Sequence, residues 1–239
     1  INVSRVLHSL GVDTTALGFV AGFTGKALEQ GLQEMGVPTR FIWAAEGMTR
    51  INVKIHAGQE TEINGMGPVI SPGELEQLVA QLKGIGAGDT VVFSGSVPLC
   101  LSAETYGHLM DCLQPGVRTA VDTTGAALEC ALRRKPWLVK PNVHELEDFF
   151  GISMDSKENV LSAAVKMQEL GAKNVLVSMG ADGAMLLDSF GKTHWVSAPW
   201  GEVVNSVGAG DSMVAGFLAG IHQGYEYALK LGTAAGGAT

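Results

Sequence analysis

From residue 72 onward, short apolar runs alternate with stretches of helical period, and this alternation limits the fold more than any other feature of the chain. The runs are Thr90-Val-Val-Phe-Ser94, Arg118-Thr-Ala-Val-Asp122, Trp137-Leu-Val-Lys140 and Asn174-Val-Leu-Val-Ser178. The spacing of apolar residues predicts helices over 72–83, 102–113, 125–133, 143–150 and 157–170. A strand that is apolar nearly throughout needs cover on both faces, and strand–helix–strand order supplies it by placing helices on both sides of a parallel sheet. Three strands fall between Val175 and Val196 with little helix between them, so that edge is expected to hold antiparallel members. The class is therefore α/β with a mostly parallel sheet.

The region before residue 72 has a different character. Apolar residues at 3, 6, 7 and 10, followed by Gly11, predict a helix at the start. Ala16-Leu-Gly-Phe-Val-Ala-Gly22 reads as a buried strand, and 25–35 as a helix stopped by Gly36-Val-Pro38. Arg50-Ile-Asn-Val-Lys-Ile-His56 and Glu60-Thr-Glu-Ile-Asn64 alternate apolar and polar residues, with Ala57-Gly58-Gln59 as a turn between them. That is the pattern of a half-buried antiparallel pair, a poor fit to a parallel core. We therefore expect two parts: a core from 1–40 and 67–239, and a small β lid from 41–66. A chain that starts within a helix and stops within another is expected to be a fragment, cut at both ends.

Composition narrows the function classes. Of 239 residues, 46% are hydrophobic and 17% charged, which gives a sizeable core and argues against disorder. The net charge is −8 with no basic run, so neither nucleic acid nor an anionic membrane surface is an expected partner. No apolar run has membrane-spanning length. Three scattered cysteines form no CxxC and no disulfide framework, which suits a reducing cytoplasm. The six histidines show no metal-ligand spacing and are expected to be ordinary. Gly216, Gly220 and Gly224, four apart, are expected to allow close helix packing.

The chemistry is expected at strand ends, where open α/β sheets gather their ligands. Val204-Asn-Ser-Val-Gly-Ala-Gly-Asp211 reads as an extended segment, two glycines and a helix opening at Asp211. Behind it, Met213, Val214, Phe217, Leu218 and Ile221 form an apolar stripe. The first N–H groups of a helix lack partners and carry partial positive charge, so Gly208, Ala209 and Gly210 can hold an anion. Asp211 at that mouth can take the proton of an attacking hydroxyl. A plain glycine turn with an acidic first-turn residue fits the same letters.

Lys140-Pro-Asn142-Val-His-Glu145 is either a helix cap or a pair, Asn142 and Glu145, that organises Mg²⁺ beside phosphates, with Lys140 adding charge. Ser178-Met-Gly180-Ala-Asp-Gly183 is either a hairpin turn or a backbone cradle for a nucleotide. Ser94-Gly-Ser96 is a strand exit or faces a sugar phosphate, and Arg50 is a solvated charge or a lid group that reaches such a phosphate. Each motif alone is weak. Together they supply the complementary parts of phosphoryl transfer.

The same residues resemble a known family, the PfkB or ribokinase-like sugar kinases. Val207-Gly-Ala-Gly-Asp-Ser-Met-Val-Ala-Gly216 is similar to that family's C-terminal signature, Lys140 to Glu145 to its Asn-x-x-Glu element, and Ser178 to Gly183 to its nucleotide loop. Ile1-Asn-Val-Ser-Arg5 resembles the segment just past the family's glycine-rich N-terminal motif; the glycines of that motif are absent here. Within the family, Leu17 to Gly25, Thr49 to Lys54, Glu60 to Asn64 and Ser94 to Pro98 look most like the bacterial 1-phosphofructokinase branch, with tagatose-6-phosphate kinases second. The resemblance implies a three-layer αβα ribokinase-like core with a β-sheet lid, and an ATP- and Mg²⁺-dependent kinase acting on fructose 1-phosphate at O6. It implies Asp211 as base, Gly208, Ala209 and Gly210 as anion nest, and Asn142 and Glu145 at the metal. It further implies Lys140, Ser178, Gly180, Gly183 and Gly210 at the nucleotide, and Asn2, Arg50, Ser96 and Asp211 at the sugar phosphate. A homodimer through the lid is expected, because an exposed small sheet has unpaired edges.

Overall fold

The structure is a computed structural model that describes residues 1–57, 59–201 and 207–239, with the backbone alone over 54–57 and 59–62. Helix α1, Asn2–Ser9, buries Val3 and Leu7. Strands β1, Ala16–Val20, and β2, Thr39–Trp43, pair in parallel across helix α2, Gly22–Glu34. Helix α2 begins three residues earlier than apolar spacing predicts. Its first turn buries little apolar side chain, Phe23 being largely exposed, and is fixed instead by Thr49, whose hydroxyl accepts the Ala21 N–H at 2.9 Å and whose carbonyl accepts the Thr24 hydroxyl at 2.8 Å.

Strands β3, Asn52–Ala57, and β4, Gln59–Asn64, form a separate antiparallel pair in which Val53 faces Ile63. The turn residue Gly58 lies outside the described residues. Residues 41–43, at the head of the stretch with the lid pattern, belong to β2 and pair with β1. Arg50 lies two residues ahead of β3 rather than within it.

Helix α3, Pro72–Lys83, opens on a full capping box between Ser71 and Glu74, with proline in its first turn. Then come β5, Thr90–Ser94; α4, Thr105–Asp111; β6, Arg118–Asp122; α5, Gly125–Leu132; β7, Leu138–Val139; α6, Val143–Phe150; α7, Lys157–Glu169; and β8, Asn174–Ser178. Helix α4 is shorter than expected because Ser102 captures the chain ahead of it: its hydroxyl accepts the Glu104 N–H and its carbonyl accepts the Thr105 N–H. Strand β7 is only two residues long, bracketed by Pro136 and Pro141, which have no N–H to give a ladder. The chain closes with β9, Ala184–Leu187; β10, Thr193–Val196; α8, Ala209–Gly220; and α9, Tyr225–Gly237.

The main sheet has the order β10-β9-β8-β7-β6-β5, parallel from β5 to β8 and antiparallel at β9 and β10. The three layers follow from the alternation of side chains along each strand. Val121, Val139, Val175 and Val177 point into a core closed by Leu78, Leu82, Leu128, Leu132, Leu146 and Met167 from α3, α5, α6 and α7. Their neighbours Ala120, Leu138 and Leu176 point the other way, against Met213, Phe217, Ala228 and Leu229 of α8 and α9. Leu138, Leu176 and Val177 are fully buried, as a strand covered on both faces requires. Helix α1 lies against α8 through Val3, Leu7, Val214 and Ala215.

Helices α8 and α9 touch backbone to backbone. A Cβ on Gly216 would lie 2.6 Å from the Leu231 carbonyl oxygen, and one on Gly220 would lie 3.0 Å from the Ala228 Cα. The third glycine of that spacing behaves differently. Gly224, at φ 100°, meets nothing within 4 Å and forms the turn into α9. No helix among the described residues is long and apolar enough to cross a membrane, and the three cysteines are free thiols.

Candidate active site

The segments that follow β5, β7 and β8 lie along one rim of the sheet, because parallel strands end on the same side, and the start of α8 meets the first two of them at one cleft. Helix α8 starts at Ala209, two residues before the expected opening at Asp211. Gly208 is the reason: its φ of 87° lets the chain turn directly into the first helical turn. Asp211 is therefore the third helical residue, above the unpartnered N–H groups of that turn. Val204, Asn205 and Ser206, the extended lead-in expected from the sequence, lie outside the described residues.

Both oxygens of Asp211 are held. Asn2 Nδ2 donates to Oδ2 at 2.9 Å, and Ser94 Oγ donates to Oδ1 at 3.2 Å. The packing of α1 on α8 brings Asn2 to this point, and Ser94 is the last residue of β5. Tyr106 in α4 fixes the exit from β5: its hydroxyl donates to the carbonyls of Ser94 at 3.2 Å and Gly95 at 3.1 Å. Burial, the largest effect on this phenol, pushes its pKa up to about 12, so it stays a donor.

A cleft of about 350 Å³ opens in front of Asp211, lined by Gly208, Gly210, Lys140, Asn142, Glu145 and Ser96, with Asp122 and neighbouring backbone completing it. Lys140 is 5% exposed, and its Nζ lies 3.2 Å from Asp122 Oδ1. Burial pushes the Asp122 carboxyl up to about 6; the adjacent Lys140 pulls it down, while Asp211 and Glu145 push it further up.

Asn142 caps α6, in agreement with the cap reading. Its Oδ1 accepts the Glu145 N–H at 2.8 Å, and Glu145 Oε2 accepts the Asn142 N–H at 2.8 Å. The cap does not preclude the other reading, since both residues still line the cleft. The donor set offers hard oxygens in small number, which suits a magnesium ion that keeps most of its waters.

Ser178, at the end of β8, lies beside Asn142 in a parallel bridge, so the loop Ser178 to Gly183 borders the cleft without lining it. Gly180 is exposed, and 180–182 make one 3₁₀ turn. Gly183, at φ 94° and ψ −131°, closes the loop against the exit from β10; a Cβ there would run into the Val196 carbonyl oxygen. Arg50 reaches the same rim from the front, its Nη1 donating to Ser96 Oγ at 2.8 Å.

The structure thus gathers Asn2, Ser96, Lys140, Asn142, Glu145, Gly208, Ala209, Gly210 and Asp211 at one place, with Arg50 and Ser178 at its edges. Sequence reasoning misses two residues. Ser94 reads as part of a strand exit or of a segment facing a sugar phosphate, not as a partner of Asp211. Asp122 reads only as the end of β6, although a carboxylate closing a buried apolar strand at the ligand-gathering end is itself a signal.

The whole chain, residues 1–239, matches the family model described as "pfkB family carbohydrate kinase". A relative from Bacillus subtilis named 1-phosphofructokinase is 45% identical over all of this chain and 79% of its own length. One of the same name from Escherichia coli is 38% identical over 98% of this chain and 76% of its own. The crystal structure of Escherichia coli phosphofructokinase-2 in complex with substrates and products superposes with a TM-score of 0.91 at 32% identity, over 100% of this chain and 80% of that one. The fold, the rim of strand-end motifs and these matches place this chain in the pfkB family of carbohydrate kinases.

Proposed function

We propose that this chain transfers the γ-phosphoryl group of ATP to the 6-hydroxyl of fructose 1-phosphate, giving fructose 1,6-bisphosphate and ADP. The observation that carries the reading is the cleft at Asp211, where a carboxylate, a helix N-terminus and a buried lysine face one space. The similarity to proteins named 1-phosphofructokinase supports the choice of sugar phosphate.

Asp211 takes the proton of the attacking hydroxyl as the new O–P bond forms and the bond to the β-phosphate oxygen breaks. Asn2 and Ser94 donate to its two oxygens, which aims the carboxylate. The N–H groups at Gly208, Ala209 and Gly210, with Lys140, meet the charge on the moving phosphoryl group. Magnesium, when bound, neutralises the β- and γ-phosphates; Asn142 and Glu145 are the residues to hold its water shell. The backbone of Ser178, Gly180 and Gly183 borders the nucleotide. Asn2, Arg50 and Ser96 face the sugar phosphate, supported by the Arg50–Ser96 contact at the cleft mouth.

The part of the expected lid that lies beyond β2, residues 44–66, acts as the lid over this cleft, and two lids pair to make a homodimer. The support is an exposed apolar set: Ile51, Val53, Ile63 and Met66 are 58%, 45%, 56% and 80% exposed. A cytoplasmic setting suits ATP as donor and three free thiols.

The test is an ADP-release assay with ATP, Mg²⁺ and, in turn, fructose 1-phosphate, fructose 6-phosphate and tagatose 6-phosphate. Fructose 1-phosphate should give the highest kcat/KM. A preference for tagatose 6-phosphate would move the substrate assignment. Nucleotide binding with no ADP release from any of the three would replace the kinase with a sensor on the same fold.

A further inference from the structure

The phosphoryl transfer just described leaves one buried charge without a role. Strands β6 and β7 run in parallel with Val121 opposite Val139. One step further along, Asp122 and Lys140 lie side by side at the strand ends, their side chains 16% and 5% exposed. Both stand against the first turn of α8. A Cβ on Gly210 would lie 3.0 Å from Lys140 Nζ, 3.3 Å from its Cε and 3.9 Å from Asp122 Oδ2.

That is a hostile place for an ammonium group. The helix presents the positive end of its dipole there, and burial penalises the charged form of lysine. Glu145 is taken up by the cap of α6, and the other two carboxylates at this mouth divide their work. Asp211 takes its hydrogen bonds from the neutral donors Asn2 and Ser94, and Asp122 takes the ion pair with Lys140. Gly210 is what lets them fit, since any side chain there would press on the lysine.

We infer that Asp122 is a positioning residue, which pins the Lys140 side chain at the N-terminus of α8 and so leaves Asp211 free to act as the base. The inference rests on the kinase reading above. Without Asp122, the ammonium loses its anchor at the first turn of α8 and turns toward Asp211. The transferring group then loses a cation at its place, and the base is blocked.

The experiment is a double-mutant cycle with Asp122→Asn and Lys140→Met in the whole chain, read in steady-state kinetics. Asp122→Asn should lower kcat by at least about tenfold while KM for ATP and for the sugar phosphate stays within about threefold. The double variant should turn over no more slowly than Lys140→Met alone, because Asp122 acts through Lys140. Removing both charges leaves no unpaired buried ion, so the double variant remains informative even where Asp122→Asn fails to fold. A double variant at least tenfold slower than Lys140→Met, or an Asp122→Asn kcat within twofold of wild type, overturns the inference.

A second readout is independent of turnover. Acylation of Lys140 by an amine-selective reagent, followed by peptide mass spectrometry, should be several-fold faster in Asp122→Asn than in wild type. An unchanged rate overturns the pairing. Wild-type chain that phosphorylates no ketose phosphate overturns the kinase reading instead, and the labelling result then decides on the pair alone.

Discussion

The sharpest consequence of the site concerns Asp211→Asn, because the structure separates its effect on chemistry from its effect on the fold. An amide at position 211 can place its oxygen toward Asn2 Nδ2, now 2.9 Å from Oδ2, and its NH₂ toward Ser94 Oγ, now 3.2 Å from Oδ1. The Ser94 hydroxyl turns its proton away and accepts, so both hydrogen bonds survive. What is lost is a negative charge in the first turn of α8, worth about 0.3–1 kcal/mol. In a chain of this size that lowers Tm by roughly 2–4 °C at most. The chemical loss is far larger. A general base contributes about 100- to 10,000-fold, which is about 2.7–5.5 kcal/mol of transition-state stabilisation. Coupled ADP release under saturating ATP and fructose 1-phosphate should therefore fall by at least two orders of magnitude. ATP affinity, measured by calorimetry, should hold within about threefold. A variant that turns over within tenfold of wild type would refute the assignment of Asp211 as base, whatever its stability.

Other outcomes hinge on single sites. Gly183→Ala forces a side chain into φ 94°, ψ −131° and against the Val196 carbonyl. It should cost about 1–3 kcal/mol in backbone strain alone and raise KM for ATP more than KM for the sugar phosphate; an unchanged ATP KM would detach this loop from the nucleotide. At the β9–β10 turn, burial of Asp188 raises its carboxyl, but His194 Nε2 at 2.8 Å and the N–H groups of Lys192 and Phe190 outweigh it and hold it below the usual carboxylate value. A depressed carboxyl contributes stability above its unfolded pKa and loses it as pH falls through the folded one. Asp188→Asn should thus cost about 1–3 kcal/mol at neutral pH, with the gap in Tm between variant and wild type closing toward acid pH; a constant gap would show that the charge is not what stabilises the turn. Ile63→Glu, on the exposed face where Ile63 pairs with Val53, should shift the chain from dimer to monomer in sedimentation while its melting temperature stays close to wild type.

The alternation of apolar runs and helical stretches was enough to determine the sheet, its two covered faces and its antiparallel edge, because burial on both sides dictates side-chain type at nearly every strand position. Local chemistry was equally legible. The Asn142–Glu145 cap is an interaction three residues apart, and Gly208 and Gly183 are needed for backbone angles that other residues adopt poorly. Apolar spacing misses the first turn of α2, which a distant partner, Thr49, holds, and the start of α8 at Ala209, which the left-handed turn at Gly208 sets. The role of Gly224 likewise depended on where α9 turned. Tertiary structure alone decided how the site is wired. Asn2 and Asp211 are 209 residues apart, and Ser94 and Asp211 are 117 apart. No periodicity encodes such contacts, which arise because α1 docks on α8 and parallel strands end on one rim. Asp122 and Lys140 show the same limit: the letters put each at a strand end, and only the register of β6 against β7 made them a pair.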